Sequence, residues 1–279
     1  METGITSKTM CSRSETRTLE KTRDAGFENV MIVERENQDI EKFILKAKKI
    51  GIKVPYVHLD SKNASLIWES SRNQKNFIKK TKASIQMCGN QGIETVIVHA
   101  AYADVNSAPS EIGKQNLFEL LETAKSSGVK IAIENMDKEH FAHFEYLLDL
   151  EHPNLGFCFD SGHWRLCTPE IDLFEKHGDK LVAIHLHDNI GLHEKKPENF
   201  WDQDLHLLPF DGKINFDKVT QSIARTKYTG PLMIESQRNQ RLGQYTNTSA
   251  DDFLKLAHNR AVKLSKMIEN YRLNSLAQL

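Results

Sequence analysis

The sequence predicts an α/β fold, a (β/α)8 barrel. Short apolar runs alternate with amphipathic stretches along the whole chain. The runs are continuously apolar, as strands of a parallel sheet covered on both faces require. The alternation is completed eight times in 279 residues, and closed barrels form one unit at about 250 residues.

The elements follow in order. Residues 4–6 are the first and weakest strand. A helix over 15–25 ends at Gly26 and another over 39–50 at Gly51, where a C-terminal glycine is expected. Strands lie at 29–33 and 52–59. A long helix covers 72–90, and Gly92 leads into a strand at 95–98. A helix over 110–124 and Gly128 precede the strand 130–133, and a helix over 141–150 precedes the strand 155–159. That strand runs into a loop in which Ser161 and Gly162 let the chain bend back. A short helix over 169–176 has Pro169 in its first turn. The strand 181–184, a long loop, a helix over 216–224, the strand 231–234 and a helix over 250–271 complete the set. A single domain is expected over 1–279.

Several function classes lose support at this level. No GxGxxG follows an early strand, so a dinucleotide site has no basis. The formal charge of −1 is no electrostatic footprint for a nucleic-acid binder. No apolar run approaches the roughly 18 residues of a membrane span, and the first residues show no signal pattern. Cys11, Cys88, Cys158 and Cys167 form no CxxC pair, which fits a reduced, cytoplasmic setting.

In a barrel, the residues just after each strand face one another across one end. Here those positions carry His58, His99, Glu134, Asp160, His185 and Glu235 on strands three to eight. His163 follows Asp160, His187 follows His185, and the loop after strand seven adds Asp204 and His206. One histidine after a strand is most often a hydrogen-bonded structural residue, and one carboxylate is often a helix cap. Six successive strand ends bearing such residues together point to metal. Imidazole with carboxylate suits Zn, Mn, Fe or Co, and four carboxylates in one pocket would repel without cations. His140, His143, His152, His177 and His258 read as surface residues, His193 is left open, Trp68 and Trp164 read as core or pocket lining, and the lysines of 75–82 read as a solvated helix face.

The matching motifs are Ile133-Glu134-Asn135, Phe159-Asp160-Ser161-Gly162-His163, His185-Leu186-His187-Asp188-Asn189, Asp204-Leu205-His206 with Gly212 to Phe216, and Ile234-Glu235-Ser236. Together they resemble the xylose isomerase-like TIM-barrel superfamily, which groups sugar isomerases and epimerases with three-zinc AP endonucleases. In the epimerase branch the resemblance implies Glu134, Asp160, His185 and Glu235 as ligands of one divalent ion. It also implies Glu134 and Glu235 as the groups that move the proton, and His163 as a substrate contact; His187 is read as substrate-facing or a support of the ligands. In the endonuclease branch, His58 and His99 would join Glu134 at one zinc, and His163, Asp204 and His206 would form another. The loop of residues 59–64 lacks that branch's tyrosine, and Trp164-Arg165 stands where its Gly-Tyr-Asp stretch would be.

The expected function is therefore a metal-dependent isomerase or epimerase of a small sugar, sugar phosphate or polyol, working through an enediolate, with a related dehydratase as close kin. The alternative is a multi-zinc phosphodiesterase acting on abasic DNA. The expected cofactor is Zn, Mn or Co, one to three ions. The expected partner is a sugar-type small molecule, with no nucleic acid and no membrane; homo-oligomerisation stays open.

Overall fold

The computed structural model describes residues 1–9, 14–34, 39–102, 108–136, 138–192, 200–239 and 242–276. Eight parallel strands close into a barrel in chain order, each paired to the next and β8 to β1. They are β1 Thr3–Thr6, β2 Asn29–Val33, β3 Tyr56–His58, β4 Thr95–His99, β5 Lys130–Glu134, β6 Leu155–Asp160, β7 Leu181–Leu186 and β8 Leu232–Ile234. The helices are α1 Glu15–Asp24, α2 Ile40–Ile50, α3 Arg72–Asn90, α4 Glu111–Ser126, α5 Phe141–Leu148, α6 Ser161–Cys167, α7 Leu173–His177, α8 Phe216–Arg225 and α9 Ala250–Leu276.

Each strand divides its side chains between two cores, because successive side chains of a strand point to opposite faces. Val30, Ile32, Ile131, Ile133, Phe157, Phe159 and Ile184 pack outward under the helices. Met31, Val33, Tyr56, Ile97, Ala132, Cys158, Ala183 and Met233 fill the barrel. The inner set includes alanines and a cysteine, since the interior of an eight-stranded barrel is only wide enough to be filled by side chains. This division sets the phase of everything beyond the strand ends.

Helix starts follow capping chemistry. Asp39 Oδ1 accepts from Lys42 N at 2.9 Å, and Ser71 Oγ accepts from Gln74 N at 3.1 Å. Gly51 closes α2 with φ 83°, a left-handed conformation that glycine adopts at no steric cost.

Four expectations need correction. The strand expected over 52–59 pairs regularly only at Tyr56–His58, because Pro55 has no N–H to give; Lys53 keeps an isolated bridge to Asn29. The loop expected after β6 is a helix, α6, in whose first turn the His163 N–H is capped by the side chain of the strand's own last residue, Asp160. The helix expected over 169–176 starts at Leu173, where Asp172 Oδ1 accepts from Phe174 N and Glu175 N. Finally, His140, His143 and His177 are buried rather than superficial. His143 meets the Trp68 ring at 4.7 Å, and His177 sits between Phe144 and Phe157 while facing Glu145 at 2.6 Å. Trp68 is core, its Nε1 donating to Ala100 O at 2.8 Å, whereas Lys75, Lys79 and Lys80 are exposed as expected. Cys11 and His193 lie outside the described residues. Among those residues no helix is long and apolar enough to cross a membrane.

Candidate metal centre

Two residues beyond six of the inward-facing core residues stands a polar side chain: Tyr56 leads to His58, Ile97 to His99, Ala132 to Glu134, Cys158 to Asp160, Ala183 to His185 and Met233 to Glu235. The period-2 geometry of a strand therefore lifts all six into one layer above the inner core. Strand register levels them, with His99 beside Glu134 and Asp160 beside His185.

Glu134 is the hub. Its Oε2 lies 3.0 Å from His58 Nε2 and 3.1 Å from His99 Nε2. Its Oε1 lies 3.1 Å from His185 Nδ1 and 3.3 Å from His163 Nδ1. His185 Nδ1 also faces Glu235 Oε2 at 2.7 Å and Asp160 Oδ2 at 3.6 Å. A third group forms around Asp204, whose Oδ2 lies 2.9 Å from His206 Nε2 and 3.3 Å from His163 Nε2. All ten expected site residues are thus in one mouth.

Local structure holds the ligand atoms still. Asn135 takes Asp160 at both ends of its backbone unit, Nδ2 donating to Asp160 O at 2.9 Å and Oδ1 accepting from Asp160 N at 2.8 Å. Asp160 Oδ1 accepts from His163 N at 2.7 Å, so the cap of α6 also aims a candidate ligand. Ser161 Oγ donates to His187 O and accepts from His187 N. His187 in turn packs on Gly162, where a Cβ would fall 1.9 Å from His187 Cε1.

The donor set fits a divalent cation. His58 Nδ1 bonds Leu59 O at 2.9 Å and His206 Nδ1 bonds Glu235 O at 2.9 Å. A ring nitrogen facing a carbonyl must carry the proton, so in the neutral tautomer it is Nε2 of each that has the lone pair. His58 Nε2 and His99 Nε2 are 3.1 Å apart and converge on one carboxylate oxygen. His99 Nδ1, His185 Nε2, His187 Nδ1 and Glu235 Oε2 are buried without a hydrogen bond among the described residues. Donor atoms group within 4.8 Å as His58, His99 and Glu134; as Glu134, Asp160, His185 and Glu235; as Asp160, His163 and His187; and as His187, Asp204 and His206.

The electrostatics agree. Burial alone would raise the pKa of Glu134, but His185, His163 and His58 hold it well below the usual carboxylate range. Against the same burial, His163 and His187 bring Asp160 to about 2. Lys8 and His185 hold Glu235 well below its ordinary value. Burial lowers His99 to about 4, which keeps it a neutral lone-pair donor. Against their burial, Asp160, Asp204 and Glu134 push His163 well above its ordinary value, and Cys158, Glu235 and Glu134 do the same for His185.

His187, read as substrate-facing or a support of the ligands, has its Nε2 2.9 Å from Asp160 Oδ1 and its ring 4.2 Å from that of His206. Sequence reasoning missed one feature of the mouth. It passed over Lys8, whose Nζ is 3.0 Å from Glu235 Oε1. The signal was partial: Gly4 and Thr6 step by two along β1, but Lys8 lies in the 3-10 turn beyond the strand, where a period of two no longer holds.

Comparison with known proteins adds to this geometry. A family model described as a xylose isomerase-like TIM barrel matches residues 19–256. The uncharacterised protein y4fM of Sinorhizobium fredii is 38% identical over 119 residues, 42% of this chain and 33% of that protein, so the match spans one third of the relative. The uncharacterised protein MJ1311 of Methanocaldococcus jannaschii is 25% identical over 96% of this chain and 94% of its own. Among solved structures, an L-ribulose 3-epimerase has a TM-score of 0.74 at 18% identity, covering 99% of this chain and 98% of that one. The IolI protein with a bound zinc atom has a TM-score of 0.74 at 18% identity, covering 97% and 99%. At such identity these likenesses establish the fold.

Proposed function

Since the chain belongs to the xylose isomerase-like TIM-barrel family, we propose that it is a divalent-metal-dependent isomerase or epimerase of a small sugar, sugar phosphate or polyol. The carrying observation is the buried group Glu134, Asp160, His185 and Glu235, whose donor atoms lie within 4.8 Å of one another. The likeness in fold to an L-ribulose 3-epimerase and to zinc-bound IolI supports the same reading. These four residues would hold Zn, Mn or Co. Bound there, such an ion supplies Lewis acidity, polarising a carbonyl and so acidifying the adjacent C–H.

The protein's own part is to move a proton. Glu134 and Glu235 reach the same His185 nitrogen from β5 and from the end of β8. Both are held ionised, the form in which a carboxylate accepts a proton. One takes the proton from carbon; its return by the same group to the neighbouring carbon, with the hydroxyl proton passing to the former carbonyl oxygen, gives isomerisation, and return by the other group to the opposite face of the same carbon gives epimerisation. His163 contacts substrate in this proposal. His187, fully buried against Asp160, acts by orienting that carboxylate. Dehydration of a keto-polyol would use the same parts.

The test is C–H exchange in D2O with ketoses, ketose phosphates and keto-polyols, using metal-loaded protein. Glu235→Gln is expected to slow exchange by about 10²–10⁴-fold. A variant within about tenfold of wild type removes Glu235 as the base, and a wild type that exchanges no member of the panel removes the isomerase reading.

A second reading rests on Glu134 Oε2, which faces His58 and His99, and on the separate Asp204 group. Those extra donors suit a multi-zinc phosphodiesterase of the AP endonuclease type. Two or three ions per chain with metal-dependent nicking of abasic duplex would replace the first reading. About one ion per chain without nicking would sustain it.

A further inference from the structure

One cation of the mouth occupies none of the ligand positions. Lys8 lies in the 3-10 turn Ser7–Thr9, directly after β1. The turn is pinned from both sides: Thr9 Oγ1 donates to Ser236 O at 3.1 Å, and Val33 N donates to Ser7 Oγ at 3.2 Å. Because β1 pairs with β8, with Ile5 beside Ile234, the turn starts next to Glu235. Lys8 Nζ lies 3.0 Å from Glu235 Oε1, while Oε2 faces His185 Nδ1 at 2.7 Å. The two oxygens are divided between an ammonium and the donor group. The Glu235 side chain is 3% exposed, so this pair is largely desolvated, unlike a surface ion pair. Lys8 itself is 32% exposed, and among the described residues its side chain makes no other hydrogen bond. Two of its three N–H donors remain for the mouth.

We propose that Lys8 is a positioning residue for Glu235: its ammonium reserves Oε1, so that Glu235 meets a divalent cation through Oε2 alone and keeps a lone pair of Oε1 turned to the substrate. The part concerning substrate rests on the proton-transfer reading above; the part concerning the cation does not. A carboxylate with both oxygens free can chelate a cation with both. A charge-assisted hydrogen bond to one oxygen competes with that mode and fixes the plane of the group. Without Lys8, the oxygen that should receive the proton is free to turn to the ion.

The experiment is a double-mutant cycle read by Co²⁺ titration and Co²⁺ visible absorption, with wild type, Lys8→Met, Glu235→Gln and the double variant. Lys8→Met is expected to tighten Co²⁺ about tenfold and to change the absorption, because the freed Oε1 joins the coordination. In the Glu235→Gln background the same change should move the affinity by less than about twofold. Lys8→Arg, which keeps a cationic donor, should return to within about threefold of wild type. Equal tightening in both backgrounds would reveal bulk charge and overturn the proposal. An unchanged Lys8→Met titration overturns it too, as does a wild type that binds no Co²⁺. Should Lys8→Met not fold, Lys8→Gln takes its place with the same expectation. Because the readout is cation binding, the outcome for Lys8 does not depend on whether the isomerase reading survives its own test.

Discussion

His185 Nδ1 lies within 3.6 Å of carboxylate oxygens from Glu134, Asp160 and Glu235, and no single spacing in the chain announces that meeting. At the scale of single residues, the mouth depends on small side chains as much as on charged ones. Gly162 shows it. A Cβ there would collide with the His187 ring, which is held by Asp160 while Ser161 Oγ holds the His187 backbone. Gly162→Ala must push the ring off Asp160 or shift the start of α6, at a cost of about 1–3 kcal/mol. The expected outcome is a lower urea midpoint together with weaker Co²⁺ binding. Unchanged values of both would show that the ring has room to move. The candidate ligand residues were legible one by one as polar residues ending apolar runs. The glycine's role was not, because it depends on a histidine 25 positions further along the chain.

At the scale of elements, the segment after β7 is organised by one buried carboxylate. Asp188 Oδ1 accepts from Asn189 N and Ile214 N, and Oδ2 accepts from Phe210 N and Gly212 N. Its backbone pairs in both directions with Leu207. The stretch that carries Asp204 and His206 is therefore tied to the strand end that carries His185 and His187. Asp188→Ala leaves four N–H groups without their acceptor and should cost about 3 kcal/mol or more. It should also weaken cation binding through Asp204, measurable by thermal denaturation and Co²⁺ titration on the same variant. A variant with wild-type melting would show that the segment holds without the carboxylate. Helix and strand positions were mostly readable, since period and capping are local. The exceptions share one cause: at β3 and α7, Pro55 and Asp172 set the boundary rather than the apolar run, and at α6 the cap is the strand's own metal-candidate residue.

At the scale of the whole molecule, barrel closure holds the site. Six strand ends, from β3 to β8, bring candidate ligands to one rim, so a cation bound there would bridge elements far apart in sequence and bind the folded chain in preference to the unfolded one. Saturation at about a hundred times its dissociation constant should add about 2.7 kcal/mol to stability. Removing ions with a chelator should lower the melting temperature by several degrees, and restoring Zn, Mn or Co should recover it. Indifference to all three would argue that protons, carried by His163 and His185, are the only balancing charge the site takes.

By itself, the sequence determined the strand count and the identity of the rim residues, because a continuous apolar run and the polar residue that ends it are properties of a few consecutive residues; the inward phase of each strand came from the structure. The family resemblance followed from those same motifs. Only the tertiary structure decided which rim residues share an atom's company. Glu134 serves two donor groups through its two oxygens, His187 joins Asp160 and His206, and Lys8 divides Glu235. Those meetings depend on register between neighbouring strands and on closure of β8 onto β1, which no local stretch of the chain encodes.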